Sequence, residues 1–274
     1  MEIKKGRSTK AILLLLTTSI AVTIAQLIWM TPKASVEQQN GGPLLLPGLP
    51  LQSSKATPGG VKPPVVYFVL TASLNKAPSR CSQYARGLES LRNETVNLNK
   101  EHKIIFVEGN GQRTTCLDDL GVEVLYTDNN NATVPHNNYG IKELMDVMAS
   151  VEHLGMKDSD LLVKMTGRYL LSPGSPFMET LKQIDLNQTC GIVKFGPYFK
   201  PSDKRMADCI TGLLMLPVST IPVIWNLTSA EPRKSVEVHW GAAALLLPED
   251  QVVAVQGKMG IYITPGMEKR YFLV

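Results

Sequence analysis

The sequence predicts an α/β domain in which helices cover both faces of a mixed β-sheet, preceded by one transmembrane helix. From residue 63 to residue 274, short apolar runs alternate with longer amphipathic stretches, as in α/β folds. Val65–Leu70 is apolar at every position, as expected for a strand buried on both faces. Residues 11–30 form a separate run without charged side chains that is long enough to cross a bilayer.

The predicted elements follow in order along the domain. Strands are expected at 65–70, 103–107, 122–126, 161–165, 191–195, 212–216 and 252–255, and helices at 80–99, 115–120, 139–154 and 237–247. The helix at 139–154 is the clearest, because Leu144, Val147, Met148, Val151 and Leu154 recur at helical spacing. Sheets of this class bind ligands at the carboxyl ends of their strands, so the loops after the first four strands are the expected site.

The N-terminal organisation predicts a type II membrane protein. Four basic residues precede the apolar run at 11–30, so residues 1–10 are expected in the cytosol. Residues 31–62 are rich in proline and glycine and are predicted to form an extended stem. Residues 63–274 then lie in the lumen of the Golgi or the endoplasmic reticulum. A signal peptide cleaved near Ala34 is the alternative, and it delivers the domain to the same side.

Sequons and cysteines agree with a luminal domain. Four Asn-x-Ser/Thr sequons are predicted glycosylation sites, at Asn93, Asn131, Asn187 and Asn226. The four cysteines are an even number and contain no CxxC pair, which predicts disulfides in an oxidising compartment. Pairing of sequence neighbours, Cys81 with Cys116 and Cys190 with Cys209, is one of three connectivities. Four buried thiols are the alternative.

Several function classes lack support in the sequence. The formal net charge is +4, and four of the basic residues precede the apolar run, so no nucleic-acid partner is predicted. A Walker loop, a GxGxxG turn after the first strand and a GxSxG elbow are all absent from the sequence. These absences argue against P-loop nucleotide hydrolysis, dinucleotide binding and α/β-hydrolase chemistry.

The most distinctive segment runs from Lys164 to Tyr169, where an apolar strand enters a tight turn. Lys164 and Arg168 supply two cations, Thr166 a hydroxyl, and Gly167 a backbone that a ligand can approach closely. This combination suits a diphosphate, because arginine grips phosphate oxygens in pairs and lysine acts as a point charge. An ordinary strand and turn with a surface arginine is the alternative.

The segment resembles the K-x-[TS]-G-R-Y motif of a group of GT-A-like glycosyltransferases from microbes, algae and large viruses. The upstream run from Tyr139 to Glu143 matches the Tyr/Lys-Gly-x-x-Glu helix start of that group. The resemblance covers residues 65–255 and implies a GT-A-like, Rossmann-like mixed sheet. It also implies transfer of a sugar from a nucleotide-sugar donor to a glycan, glycoprotein or glycolipid. The anchor, stem and luminal domain follow the layout of Golgi glycosyltransferases.

The sequence departs from the usual GT-A pattern in its metal site. Most such enzymes place Asp-x-Asp after an apolar strand, whereas Asp158 and Asp160 precede one and are interpreted as turn residues. Asp128 follows the third strand and is the better candidate ligand for Mn²⁺ or Mg²⁺, with an ordinary turn as its alternative. A metal-free enzyme would stabilise the leaving diphosphate with Lys164 and Arg168.

The remaining candidates are assigned by position. Glu237 and His239 lie late in the domain at the start of a predicted helix, and either could accept the proton of the acceptor hydroxyl. A surface charge and a buried, hydrogen-bonded histidine are the alternatives. Asp208 is a further candidate near the acceptor. The predicted donor-binding set is completed by residues at the ends of the first two strands and in the Lys164–Tyr169 turn, namely Thr71, Ser73, Glu108, Thr166, Gly167 and Tyr169.

These observations favour a membrane-anchored glycosyltransferase. One alternative is a non-catalytic, membrane-anchored protein of the same fold that binds glycans or partner enzymes, and the lack of an Asp-x-Asp after a strand favours it. The other alternative is an unrelated luminal enzyme or receptor ectodomain.

Overall fold

The computed structural model describes residues 62–74, 80–196, 209–263 and 272–273. The strands are β1 (Val66–Ala72), β2 (His102–Glu108), β3 (Glu123–Tyr126), β4 (Leu161–Thr166), β5 (Leu170–Leu171), β6 (Gly191–Val193), β7 (Leu213–Pro217), β8 (Val252–Ala254), β9 (Ile261–Ile263) and β10 (Phe272–Leu273). The α-helices are α1 (Arg80–Thr95), α2 (Tyr139–His153), α3 (Pro176–Gln183), α4 (Ile221–Ala230) and α5 (Val236–Ala244). Short 3₁₀ turns connect several of them.

Within the described residues, the central sheet has seven strands in the order β3-β2-β1-β4-β7-β6-β8. Strands β3, β2, β1 and β4 run parallel, while β7 runs antiparallel to both β4 and β6. The register places Ala72 beside Glu108 and Thr71 beside Thr166. The parallel strands therefore end at one edge, and polar residues from three of them meet there. A smaller antiparallel sheet contains β10, β9 and β5.

The sheet carries a hydrophobic core on each face. Alternate residues of β1 point to opposite faces, as the period of a strand requires, so Val69 joins one core and Phe68 the other. The first core packs against α2, α4 and α5, and the second against α1 and α3. Helices thus cover both faces of a mixed sheet, and the predicted α/β class is confirmed.

Helix α1 lies unusually close to the turn after β4. A Cβ atom at Gly87 would lie 2.1 Å from the Gly167 carbonyl oxygen, so only glycine permits this approach. The Ser90 hydroxyl accepts a hydrogen bond from the Leu171 amide at 3.0 Å in the same contact. The Lys164–Tyr169 turn is therefore held by backbone packing against α1.

Most of the predicted elements are present. The structure also contains helices α3 and α4 and the short strands β5, β9 and β10, which the sequence did not predict. The seven expected strands correspond to β1–β4, β6, β7 and β8. Helix α4 was not predicted because its first seven residues are nearly all apolar and resemble a strand, and α3 because it is only two turns long. The expected helix at 115–120 shortens to a 3₁₀ turn at Asp118–Leu120.

The predicted disulfides are correct for one pair and wrong for the other. Cys81 and Cys116 are bonded across a Cα–Cα distance of 5.9 Å. Cys190 and Cys209 are thiols and do not pair with each other. Cys209 lies opposite Phe195, five residues along the chain from Cys190. At about 3.3 Å per residue, that separation of roughly 16 Å far exceeds the span of a disulfide.

The predicted membrane segments lie outside the described residues, which begin at 62. In the part of the chain that the structure describes, no helix is both long enough and apolar enough to cross a bilayer. The asparagines of all four sequons are exposed.

Candidate functional site

A cavity of about 810 Å³ opens at the edge where the parallel strands end. Its walls come from the loop after β1, the start of α1, the first two turns of α2, the turn after β4 and the start of α5. The cavity lies where ligands bind in sheets of this class and has the size of a small-molecule site. Its lining includes the predicted residues Thr71, Ser73, Lys164, Thr166, Arg168, Tyr169 and Glu237.

An ion pair between buried Lys164 and partly exposed Glu143, whose side chain is 33% exposed, forms part of the cavity wall. The Lys164 Nζ lies 2.9 Å from Glu143 Oε1, and the Lys164 side chain is only 2% exposed. Thr71 donates its hydroxyl proton to the same carboxylate oxygen at 2.6 Å, and Lys164 also donates to the Thr211 carbonyl at 2.5 Å. Lys164, predicted to contact phosphate, is thus engaged by protein groups. Glu143 was recognised only as part of a helix start, because nothing in its local sequence reveals a partner 21 residues away.

The turn after β4 presents Arg168 and Tyr169 to the cavity. The Arg168 guanidinium carbon lies 5.6 Å from the centroid of the Tyr169 ring, a cation–π distance. Burial is the main reason that the pKa of Tyr169 is raised above its usual value of 10.0. Gly167 has a packing role that the sequence did not predict. A Cβ atom there would lie 2.7 Å from Phe106, so packing on β2 requires the glycine, and Gly167 is not among the lining residues.

Glu108 organises the loop beside the cavity and is not part of its lining. The Glu108 side chain is fully buried and accepts a hydrogen bond from the Leu74 amide at 2.8 Å. Its second oxygen lies 3.3 Å from the guanidinium of Arg113. Neighbouring Asn110 lines the cavity, and its side-chain amide lies 3.3 Å from the Ser73 hydroxyl. Ser73 and Asn110 are therefore the side chains of this region that reach the cavity.

Asp146 is a cavity residue that the sequence did not reveal. It lies in α2 and is almost fully buried, yet it accepts hydrogen bonds from the Thr127 hydroxyl at 2.5 Å and the Asn129 amide at 2.8 Å. Burial raises the pKa of Asp146 from 3.8 to about 6, although both hydrogen bonds act in the opposite direction. A single carboxylate within an amphipathic helix gives no local signal of this environment.

Of the two remaining aspartate candidates, Asp128 is described by the structure and does not line the cavity. It is exposed and accepts a hydrogen bond from the Asn131 side chain at 2.5 Å. That is a contact between two side chains of one short turn. Within the described residues, no group of three or more histidine, cysteine or acidic side chains could hold a metal ion. Asp208 lies outside the described residues.

The two candidate bases separate in the structure. Glu237 lines the cavity from the first turn of α5, where its carboxylate accepts a hydrogen bond from the Ser235 hydroxyl. His239 lies two residues later and is buried between α4 and α5. Its Nδ1 lies 3.0 Å from the Thr228 hydroxyl, and burial lowers the pKa of this histidine. His239 does not line the cavity, so of the two bases predicted from the sequence Glu237 is the one that reaches it.

Known proteins resemble this chain in structure only. No protein-family model and no curated protein sequence matches it. A glycosyltransferase involved in glycosylation of the major capsid of PBCV-1 aligns over 70% of this chain and 81% of its own, with a TM-score of 0.38 and 8% identity. For the galactosyltransferase LgtC, bound to donor and acceptor sugar analogues, the coverages are 73% and 87%, the TM-score 0.44 and the identity 9%. Mouse xyloside xylosyltransferase 1 aligns over 70% of this chain and 84% of its own, with a TM-score of 0.41 and 10% identity. At TM-scores below 0.5, these likenesses do not establish a function for this chain.

The ion pair between Lys164 and Glu143 is expected to stabilise the fold. Glu143→Gln leaves the Lys164 ammonium buried without its counter-charge and should cost about 3 kcal/mol in the free energy of unfolding. Lys164→Met replaces the cation with an apolar side chain of similar length. The double variant should therefore lose less than the sum of the single losses, by about 1–3 kcal/mol. Urea denaturation of the four proteins measures this coupling.

The exposed pair of Lys62 and Glu101, 2.9 Å apart, is a matched control. A cycle on that pair should show no measurable coupling, because solvent screens its charges. Equal coupling in the two cycles would contradict a structural role for the pair of Lys164 and Glu143.

The raised pKa of Asp146 predicts that stability depends on pH through this residue. Burial raises the pKa of Asp146 in the folded state to about 6, above the pKa of 3.8 in the unfolded chain. The residue therefore stabilises the fold fully when the pH is below 3.8, and this contribution is lost as the pH rises through 6. Asp146→Asn keeps a hydrogen-bond acceptor but cannot ionise. Its stability relative to wild type should therefore increase from pH 4 to pH 8, by on the order of 2 kcal/mol. Thermal unfolding at half-unit pH steps measures the trend, and Asp119→Asn, at an exposed position, is the control for the substitution itself.

Proposed function

We propose that the chain is a glycosyltransferase that takes a sugar from a nucleotide-sugar donor and transfers it to an acceptor hydroxyl. The proposal depends on one observation: Tyr139–Glu143 and Lys164–Tyr169, the two segments of the GT-A resemblance, meet in one cavity at the carboxyl edge of the parallel strands. They are joined there by the ion pair between Glu143 and Lys164.

The charges around the cavity suit an anionic donor. The side chains of Arg80, Lys142, Lys164 and Arg168 all line it, and they outnumber the lining carboxylates Glu143, Asp146 and Glu237. Arg80 donates to the Ser73 carbonyl at 2.7 Å and Lys142 to the Asn130 carbonyl at 2.7 Å, so both cations also order the surrounding loops. Arg168 adjoins the tight turn, and we assign it the contact with the donor diphosphate, because guanidinium groups bind phosphate oxygens in pairs.

Glu237 is proposed to accept the proton of the acceptor hydroxyl. It stands at the first turn of α5, on a different element from Arg168. Both residues line the same cavity of about 810 Å³, a volume within the range of small-molecule sites. The carboxylate holds a hydrogen bond from Ser235, which orients it without removing its capacity to accept a second proton donor.

The proposed cellular setting follows the sequence. We propose that residues 11–30 anchor the chain in a Golgi or endoplasmic-reticulum membrane, with the transferase domain in the lumen. The exposed sequon asparagines and the Cys81–Cys116 disulfide suit an oxidising, glycosylating compartment.

The first experiment asks which donor binds. Purified full-length chain is heated with UDP-, GDP- or CMP-sugars, with and without Mn²⁺. A ligand that binds only the folded state raises the midpoint of unfolding, so the screen reports the donor class and the metal requirement together. Arg168→Gln should weaken binding of that donor by about tenfold or more, since it removes charge-assisted hydrogen bonds.

Lys103→Gln is the control for Arg168→Gln. Lys103 lies at the opposite end of β2 from the cavity, with its Nζ 5.6 Å from the centroid of the Tyr67 ring. The Lys103→Gln variant should bind the donor with the affinity of the wild-type protein. Failure of every nucleotide sugar to stabilise the wild-type protein would overturn the proposed function, whereas equal donor affinity in both variants would overturn only the role of Arg168.

Replacement of the proposed base, Glu237, should slow the transfer step. Glu237→Gln should lower kcat for transfer by about 10²–10⁴ and leave donor binding unchanged, because an amide cannot accept the proton. Transfer assays with the donor found above measure kcat. Glu231→Gln, an exposed carboxylate that pairs with Lys234 at 2.9 Å, is the matched control and should retain full activity. An active Glu237→Gln variant would mean that another group accepts the proton.

A further inference from the structure

Tyr139 is a large side chain left in the open at the cavity. Among the described residues, three large hydrophobic side chains are well exposed: Val96 at 76%, Tyr139 at 72% and Leu246 at 46%. Of these, Tyr139 alone lines the cavity. An aromatic ring left in water beside a binding cavity offers apolar area that a ligand can cover.

The backbone that carries Tyr139 is held firmly. Asn138 caps α2 by accepting a hydrogen bond from the Gly140 amide at 3.0 Å, and its own amide lies 3.4 Å from the Lys234 carbonyl. A Cβ atom at Gly140 would lie 2.8 Å from the Val236 Cβ, so glycine lets the start of α2 press against the start of α5. The ring therefore projects from a rigid point of contact between two helices.

A neighbouring cation restricts the ring further. The Lys142 Nζ lies 5.6 Å from the centroid of the Tyr139 ring. Lys142 is itself buried and anchored by its hydrogen bond to the Asn130 carbonyl. A fixed cation near the ring favours one ring orientation, so little conformational entropy is lost when a ligand stacks on it.

We propose that Tyr139 is the stacking platform for the acceptor sugar. This inference builds on the proposed function, because it places the acceptor beside Glu237, the proposed base. Val236, which packs on Gly140, is the residue next to Glu237, so ring and carboxylate lie on adjoining helix ends. A pyranose presents a face of C–H groups that packs on an aromatic ring while its hydroxyls stay free for the base. The ligand class is therefore a saccharide with an exposed pyranose face.

The test separates acceptor binding from donor binding. Full-length wild type, Tyr139→Phe, Tyr139→Ala and Val96→Ala are assayed with the donor identified by thermal shift. The acceptors are p-nitrophenyl α- and β-glycosides of glucose, galactose, mannose, xylose and N-acetylglucosamine. Steady-state rates give separate KM values for donor and acceptor. Saturation-transfer NMR of donor-loaded protein reports glycoside binding without turnover.

Tyr139→Ala should raise the acceptor KM about five- to tenfold, in line with the measured worth of an aromatic contact. The donor KM should stay within about twofold. Tyr139→Phe should behave as wild type, since stacking needs the ring and not the hydroxyl. Val96→Ala controls for the loss of an exposed apolar side chain outside the cavity, and unfolding midpoints confirm that each variant folds.

Three results would overturn the inference and leave the proposed transferase intact. The first is a raised donor KM with an unchanged acceptor KM in Tyr139→Ala, which would mark the ring as a nucleobase platform. The second is no change in either KM. The third is a wild-type protein that binds the nucleotide sugar but gives neither transfer to nor NMR contact with any glycoside. Absence of donor binding would instead overturn the proposed function, and this inference with it.

Discussion

The ion pair between Lys164 and Glu143 is the constraint on which the cavity depends. A buried ammonium is costly without a counter-charge, so β4 and the second turn of α2 must stay in contact. That contact holds the start of α2 over the ends of the parallel strands. It thereby positions Tyr139, Lys142 and Asp146, which all project from the first two turns of the helix.

The charged groups around the cavity divide into two sets with different physical roles. Lys164 and Glu108 are almost completely buried and hold hydrogen bonds and ion pairs to residues around the cavity, so they shape its walls. Arg168, Glu237 and Tyr139 stand on three separate elements and reach the open space. A buried polar framework that carries more accessible polar groups is the arrangement expected of a preorganised site, in which ligand binding requires little rearrangement.

Sequence patterns predicted the fold well where local periodicity carried the information. Continuous apolar runs identified the strands, and helical spacing identified α2 closely. Local patterns gave no information about contacts with residues far away in the chain. Gly167 looked like a ligand-facing glycine but is required by Phe106 of β2, and Glu108 looked like a nucleoside contact but supports the loop that contains Leu74. Asp146 gave no signal, because burial of one helix position is set by tertiary packing.

The sequence by itself determined the α/β class, the order of the central strands along the chain and the two segments that meet at the cavity. The tertiary structure decided which cysteines pair and which of Glu237 and His239 faces the cavity. It also brought Lys164 and Glu143 together as an ion pair. The physical reason is distance along the chain. Periodicity reports on neighbours within a few residues, whereas hydrogen bonds, ion pairs and close backbone approaches join groups that only the folded sheet brings together.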